Sequence, residues 1–453
     1  RILTAAMTAA ILSLTSTSAL YAGALQSEAE TVAAADLDAD LDDEALFAAS
    51  EAEDTAEVKD ADETLSIAAE QEETAVQENA AEEIPAGMAK STLTGEYVSE
   101  ELGKQRPVAF MIDNVKDADP QSGLSQASVY FECEVESDLS RICAVVEDYA
   151  SLSKIGPLRS CRDYFISLAA GLDEIYTHYG QAAYALPYLE SDDVDNLSGL
   201  MSYNYNAFFR DGPHGAPHNA YSTGEKISEL ISTLGYRTEH EDDYVPMLKF
   251  RAVGDEDQLE SGDTAAYVEL GYPHNKPYFV YDEATGLYSR FQYGRAHQDH
   301  VNGEQLAVKN IILEYQSGTN YQASSYMHYH TTGKSRGKYI SNGKAIDITW
   351  ERKSFYEPAV YRTLDGKELQ LNPGKTWVAV IRKDQLKNCM IGSSSDDTGC
   401  VASAEIVAEE EARITRWIAE YKANEESYLS KMAQQRTDNI AKHGGTKVEV
   451  GLP

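Results

Sequence analysis

The sequence predicts an α+β protein: an N-terminal α/β unit with a mixed sheet, then a β-rich second unit, then a long C-terminal helix. Three observations predict it. Between residues 104 and 240, short apolar runs alternate with helix-capping patterns, as strands separated by helices do. Between 266 and 383, β-type runs follow one another with Gly-containing turns between some of them. From 403 to 442, apolar residues recur at three-, four- and seven-residue spacings without Gly or Pro.

The elements follow in chain order. Residues 2–22 carry no charge and are rich in small apolar side chains, and Ala22-Gly23-Ala24 follows. This pattern predicts a secretory signal peptide over 1–24, and with it an extracytoplasmic protein, secreted or associated with the cell envelope. Residues 25–90 hold 21 acids against Lys59 and Lys90, with Phe47 the one aromatic. Such a segment cannot bury enough surface to offset chain entropy, so a disordered acidic linker is expected. The first cysteine is Cys133, so lipid anchoring through an N-terminal Cys is not expected.

Val108–Ile112 reads as a buried strand ending in the polar pair Asp113 and Asn114. Ser128–Val135 and Arg141–Glu147 read as an antiparallel pair. The first alternates Tyr130, Glu132, Glu134 and Glu136 with Val129, Phe131, Cys133 and Val135, which predicts one acidic and one apolar face. Gly156–Arg159 reads as a turn. Ser160, three before Asp163, is a capping pattern for a helix over Arg162–Leu172. Ile175–Tyr179 returns as a strand, and Ser222 before Glu225 caps Lys226–Leu234. The acidic, irregular stretch 241–265 marks a boundary. Beyond it, strands are expected at Tyr278–Tyr281, Val308–Tyr315, Tyr326–His330, Lys344–Trp350 and Thr376–Ile381, with turns at Asn342-Gly343 and Asp365-Gly366. Ser403 opens the last helix, whose stripe of Ile414, Trp417, Ile418, Tyr421, Tyr428 and Met432 is expected to dock on the body or to make an oligomer or partner contact.

Charge narrows the function classes. The chain has 38 basic and 75 acidic residues, a formal charge of −37. That argues against nucleic acid and against docking on anionic lipid. After the signal no segment reaches the ~18–20 apolar residues of a membrane span. Five cysteines in an exported chain permit disulfides. Cys389 and Cys400 bracket a loop-like stretch and are one candidate pair. Cys133 and Cys143, equidistant from Asp138, are a cross-strand candidate, with two reduced core thiols as the alternative. No CxxC spacing, GxSxG motif, Walker loop or dinucleotide fingerprint occurs, so no metal or cofactor is expected.

Several phrases resemble a known family. RPVAFMIDN (106–114), PQSGLSQAS (120–128), GPLRSCRDYF (156–165) and APHNAY (216–221) resemble the N-terminal domain of YerB-like exported bacterial proteins. YDEATGLYSRFQ (281–292), GEQLAVKNIILEY (303–315) and LNPGKTWVAVI (371–381) resemble their C-terminal domain. The resemblance covers roughly residues 104–383 and implies a two-domain α/β plus β-rich body in an extracytoplasmic setting. It implies no established reaction.

Arg159 and Arg162 flank an expected helix N-terminus, where backbone N–H groups and the helix dipole favour an anion. Two guanidiniums suit a carboxylate or phosphate, such as an anionic cell-wall fragment or an acidic group on an envelope protein. The alternative is an internal salt-bridge network with Asp113, Glu132 or Glu136. Asn114, Arg141, His178, His218 and Asn219 complete the candidate ligand-binding set. A rival reading is a cell-wall hydrolase or transferase pairing Asp113, Glu132 or Glu136 with His178 or His218. His297 reads as loop structure, and His328 and His330 as a solvated strand face. The catalytic residues, if there are any, are left open.

Overall fold

In the computed structural model, residues 82–200, 206–212, 214–322 and 324–447 are described. The signal segment and the linker up to residue 81 lie outside them. Val108, Phe110 and Ile112 face one side of the Val108–Asp113 strand and Ala109 and Met111 the other, all fully buried. A strand apolar on both faces belongs inside a layered molecule. It pairs antiparallel with Ser140–Val146 and parallel with Ile175–His178. Val129–Glu134 extends the sheet on one side and Asn196–Ser198 on the other. The Asp163–Ala169 helix covers the Met111 face, and the Gly224–Leu234 helix the Phe110 face.

The second half adds strands to the same sheet. Gly333–Ser341 and Lys344–Arg352 form a hairpin whose Asn342 and Gly343 both adopt left-handed φ, 50° and 74°, as a tight hairpin turn demands. Asn310–Gln316 lies between this hairpin and Thr376–Arg382. Thr376–Arg382 then pairs in parallel with Val129–Glu134. One sheet of eleven strands therefore runs through both halves of the chain. The reason lies in Trp377, Val378, Ala379, Val380 and Ile381, all buried, which make this strand apolar on both faces. A smaller seven-stranded sheet, including Tyr267–Glu269, Tyr278–Asp282 and Leu287–Gln292, covers one face. There Tyr130 stacks on Trp377 at 4.5 Å and Phe279 meets Trp377 edge-on at 5.5 Å.

Several local expectations change. A strand at Met88–Lys90, paired with Tyr97–Ser99, lies inside the tract assigned to the linker. The Asp163 helix begins after Arg162 with no side-chain cap, and Ser160 instead donates to the Tyr179 carbonyl at 3.4 Å. Thr223, not Ser222, caps the next helix by accepting from Lys226 N. Neither candidate disulfide is present among the described residues. The hairpin turns at Ser137, one residue earlier than expected, so Cys133 faces Arg141 and Cys143 faces Phe131. Both thiols are buried and free. Cys400 pairs across from Met390 and is exposed, whereas Cys389 precedes that strand and is buried, so these two are free as well.

The C-terminal helix spans Ala404–His443, with Ser403 accepting from Ile406 N and Gly444 in the left-handed conformation at its end. It docks along the body. Buried Glu410 pairs with Lys383 at 2.8 Å, and Tyr421 stacks on His328 at 4.5 Å. Farther on, the Tyr428 and Tyr188 hydroxyls sit 3.3 Å apart, and Asn439 donates to the Pro187 carbonyl. His328 is thereby buried rather than solvated. No helix among the described residues is long and apolar enough to cross a membrane.

Candidate functional site: Asp113, Arg159 and His218

Residues 156–161 do not turn back as expected but run as an extended strap past the end of the central strand. Asp113 N donates to the Pro157 carbonyl, Arg159 N to that of Met111, and Leu158 N to that of Ala220, at 2.7–2.9 Å. On the far side, Tyr179 N donates to the Arg159 carbonyl and Cys161 N to that of Gly180. Gly156 is required here: its φ is 138°, and a Cβ would lie 2.6 Å from the Ala220 oxygen. The strap thus delivers Arg159, and the loop before Ala220 delivers His218, to the strand end that carries Asp113.

Asp113 Oδ2 lies 2.7 Å from His218 Nδ1 and 3.3 Å from Arg159 Nε. Burial alone would raise the Asp113 carboxyl. The His218 hydrogen bond, with the Arg159 and Arg141 charges, overcomes it and holds the group below its usual range. The Asp113 side chain is only 1% exposed, whereas those of Arg159 and His218 are 16% and 24% exposed. They form the open edge of the cluster.

Beside them Glu136, whose side chain is 19% exposed, accepts two bonds from Arg162, from Nη2 and, at 3.1 Å, from Nε. It also pairs with Arg141 at 3.5 Å. Burial opposes ionisation of Glu136, but Arg162 and Arg141 drive its carboxyl down to about 2. Arg141 also donates to the Ser160 carbonyl, and its own pKa is lowered to about 10, first by burial and then by Arg162. Arg162 is 4% exposed and belongs to Glu136, and the helix after it has seven residues. The expected helix-terminus pocket at Arg162 is therefore replaced by an ion pair. Among the described residues the cluster sets three guanidiniums against two carboxylates.

The other candidates fall elsewhere. His178 is fully buried with Nδ1 2.7 Å from the Gly180 carbonyl, and burial lowers its pKa to about 4. Asn219 donates to the His214 carbonyl and accepts from Arg210, which braces the His218 loop. Asn114 and Glu132 lie inside, where Glu132 accepts from Asn114 and takes two bonds from Arg290 at 2.7 and 2.8 Å. On the acidic strand face Glu132 is thus covered by the small sheet and neutralised from it. Arg290 and Gln121 were not singled out by the sequence, and His297, read as loop structure, lies just past the Arg295–Ala296 strand and is fully buried. The available signal was the alternation of Tyr288, Arg290 and Gln292, which places a large aromatic residue on the same face as two polar ones. Among the described residues, no group of three His, Cys, Asp or Glu side chains is arranged to hold a metal.

The chain matches two family models, "Protein of unknown function (DUF3048) N-terminal domain" over residues 93–237 and "Protein of unknown function (DUF3048) C-terminal domain" over 268–378. It is 28% identical over 305 residues to YerB of Bacillus subtilis (strain 168), whose name classes it with lipoproteins; the match spans 67% of this chain and 90% of that protein. The crystal structure of Bacillus subtilis YerB superposes with a TM-score of 0.58 at 28% identity, over 65% of this chain and 96% of that one. The chain belongs to the DUF3048 family, a two-domain family of unknown function.

Proposed function

We propose that the protein works in the cell envelope and binds an anionic cell-wall fragment at the edge formed by Arg159 and His218. The envelope setting is supported by the leader-like residues 2–22 and by the lipoprotein name of its relative. The observation that supports the ligand is the partly exposed basic edge that Arg159 and His218 make over Asp113. Among the described residues three guanidiniums meet two carboxylates, and Arg159 and His218 are partly exposed, as is Glu136 beside Arg162. A guanidinium suits a carboxylate, and Asp113 holds both it and the neighbouring imidazole from behind. The test is a thermal-shift titration with muramyl dipeptide, comparing wild type with Arg159→Ala and His218→Ala. Both variants are expected to lose the shift, and equal shifts in all three proteins would overturn the proposal.

A second reading is favoured by one distance. Asp113 and His218 meet at 2.7 Å, the pairing that orients an imidazole for general acid–base chemistry. On this reading the protein hydrolyses or transfers cell-wall material. Turnover of peptidoglycan fragments that His218→Gln abolishes would support it over binding alone.

A further inference from the structure

Behind Asp113 lies a closed ring of five buried side chains, two of them from the far half of the chain. Arg290 donates through Nη2 to both Glu132 oxygens and through Nη1 to His297 Nδ1 at 2.8 Å. Burial and the neighbouring Arg290 charge keep His297 neutral. Its Nδ1 accepts from Arg290, so its single proton sits on Nε2, which donates to Gln121 Oε1 at 2.7 Å. That orients the Gln121 amide. Its Nε2 donates to Asn114 Oδ1 at 3.0 Å and to the Asp113 carbonyl at 2.9 Å. Asn114 Nδ2 closes the ring on Glu132 at 3.1 Å. All five residues are fully buried, and every donor–acceptor direction is fixed once Arg290 is charged.

We infer that Arg290 and His297 are positioning residues for the Asp113–His218–Arg159 site, acting through Gln121 on the backbone of Asp113. The site assigned to the N-terminal region is then incomplete without the C-terminal one. The inference rests on the proposed role of that site. Gln121 is the only ring member bonded to both Asp113 and Asn114, and a neutral, oriented His297 holds it. A buried ring with consistent donors has one low-energy arrangement, so removing a member lets the strand end relax.

The test uses full-length protein with 15N-labelled histidine. The readout is the long-range spectrum of His218, assigned by its loss in His218→Gln, which reports whether Nδ1 carries the proton donated to Asp113. His297→Leu and Gln121→Leu break the ring, and Ile391→Ala truncates a buried side chain of the small sheet outside it. Loss of the Nδ1-protonated signature in the first two, with retention in Ile391→Ala, is the expected result. Retention in all three overturns the positioning role while leaving the Asp113–His218 pair intact. Absence of the signature in wild type overturns the site itself. If both ring variants fail to fold while Ile391→Ala folds, the ring is a folding element and the inference also falls.

Discussion

The Glu134 side chain is 1% exposed, and the charge that faces it, Arg382, lies 3.9 Å away. Burial therefore prevails and pushes its carboxyl up to about 7. Burial does the same at Glu147, Asp163 and Glu174, each raised to about 7. A carboxyl whose folded pKa exceeds its unfolded value contributes stability that is fully present below the unfolded pKa and is lost as pH rises through the folded one. Glu136 and Asp173, both lowered to about 2, contribute the opposite way. Their stabilisation is present above the unfolded pKa and is lost as pH falls towards 2. The protein is thus expected to be most stable in mild acid and to weaken from there towards pH 8. Glu134→Gln removes one buried charge, so it should stabilise the protein by on the order of 2 kcal/mol at pH 8 and by little at pH 5. Urea unfolding at both values checks this, and equal effects would contradict it. At this scale the ion pairs of Asp113 and Glu136 were legible in part, because the acids and arginines of two neighbouring phrases offered few combinations. The Glu132–Arg290 pair was not legible, since its partners lie 158 residues apart and nothing local joins them.

Elements were legible where local chemistry was unambiguous. The Val108–Asp113 and Thr376–Arg382 strands announce themselves as apolar runs, and Asn342-Gly343 as a hairpin turn. The expected cap at Ser160 fails for a tertiary reason. The strap bonds Cys161 N to Gly180, which keeps the chain extended through Arg162, whose φ is −124°. The C-terminal helix was legible as a helix, but its docking face only in outline. Midway its stripe meets aromatic and His side chains, where Tyr421 stacks on His328 and its hydroxyl donates to Glu425 at 3.0 Å, whereas Met432 joins the apolar core. Tyr421→Ala should therefore cost about 3 kcal/mol in chemical denaturation, in the range of large-to-small core substitutions. Glu426→Ala on the exposed face should stay within about 0.5 kcal/mol. Similar costs for the two would show that the helix does not dock as described.

At the scale of the whole molecule, chain order predicted two units, and the central sheet joins them. A parallel pair between Val129–Glu134 and Thr376–Arg382 needs no local turn, so no sequence signal marks it. The join matters for the site. It sets the small sheet over Glu132, which brings Arg290 and His297 behind Asp113. Charge at this scale also resolves into parts. Residues 25–90 carry a net −19, and 91–453 carry another −19, so the arginine cluster stands out against a negative body. An anionic ligand must find that place against the general field, so its binding should be local and not diffuse. The most direct measurement is a muramyl dipeptide titration of full-length protein, followed through the side-chain nitrogen signals of arginine and histidine. Saturable movement of the Arg159 and His218 signals, abolished in Arg159→Ala, is the predicted result. Signals at Arg159 and His218 that stay still while the ligand binds would contradict it.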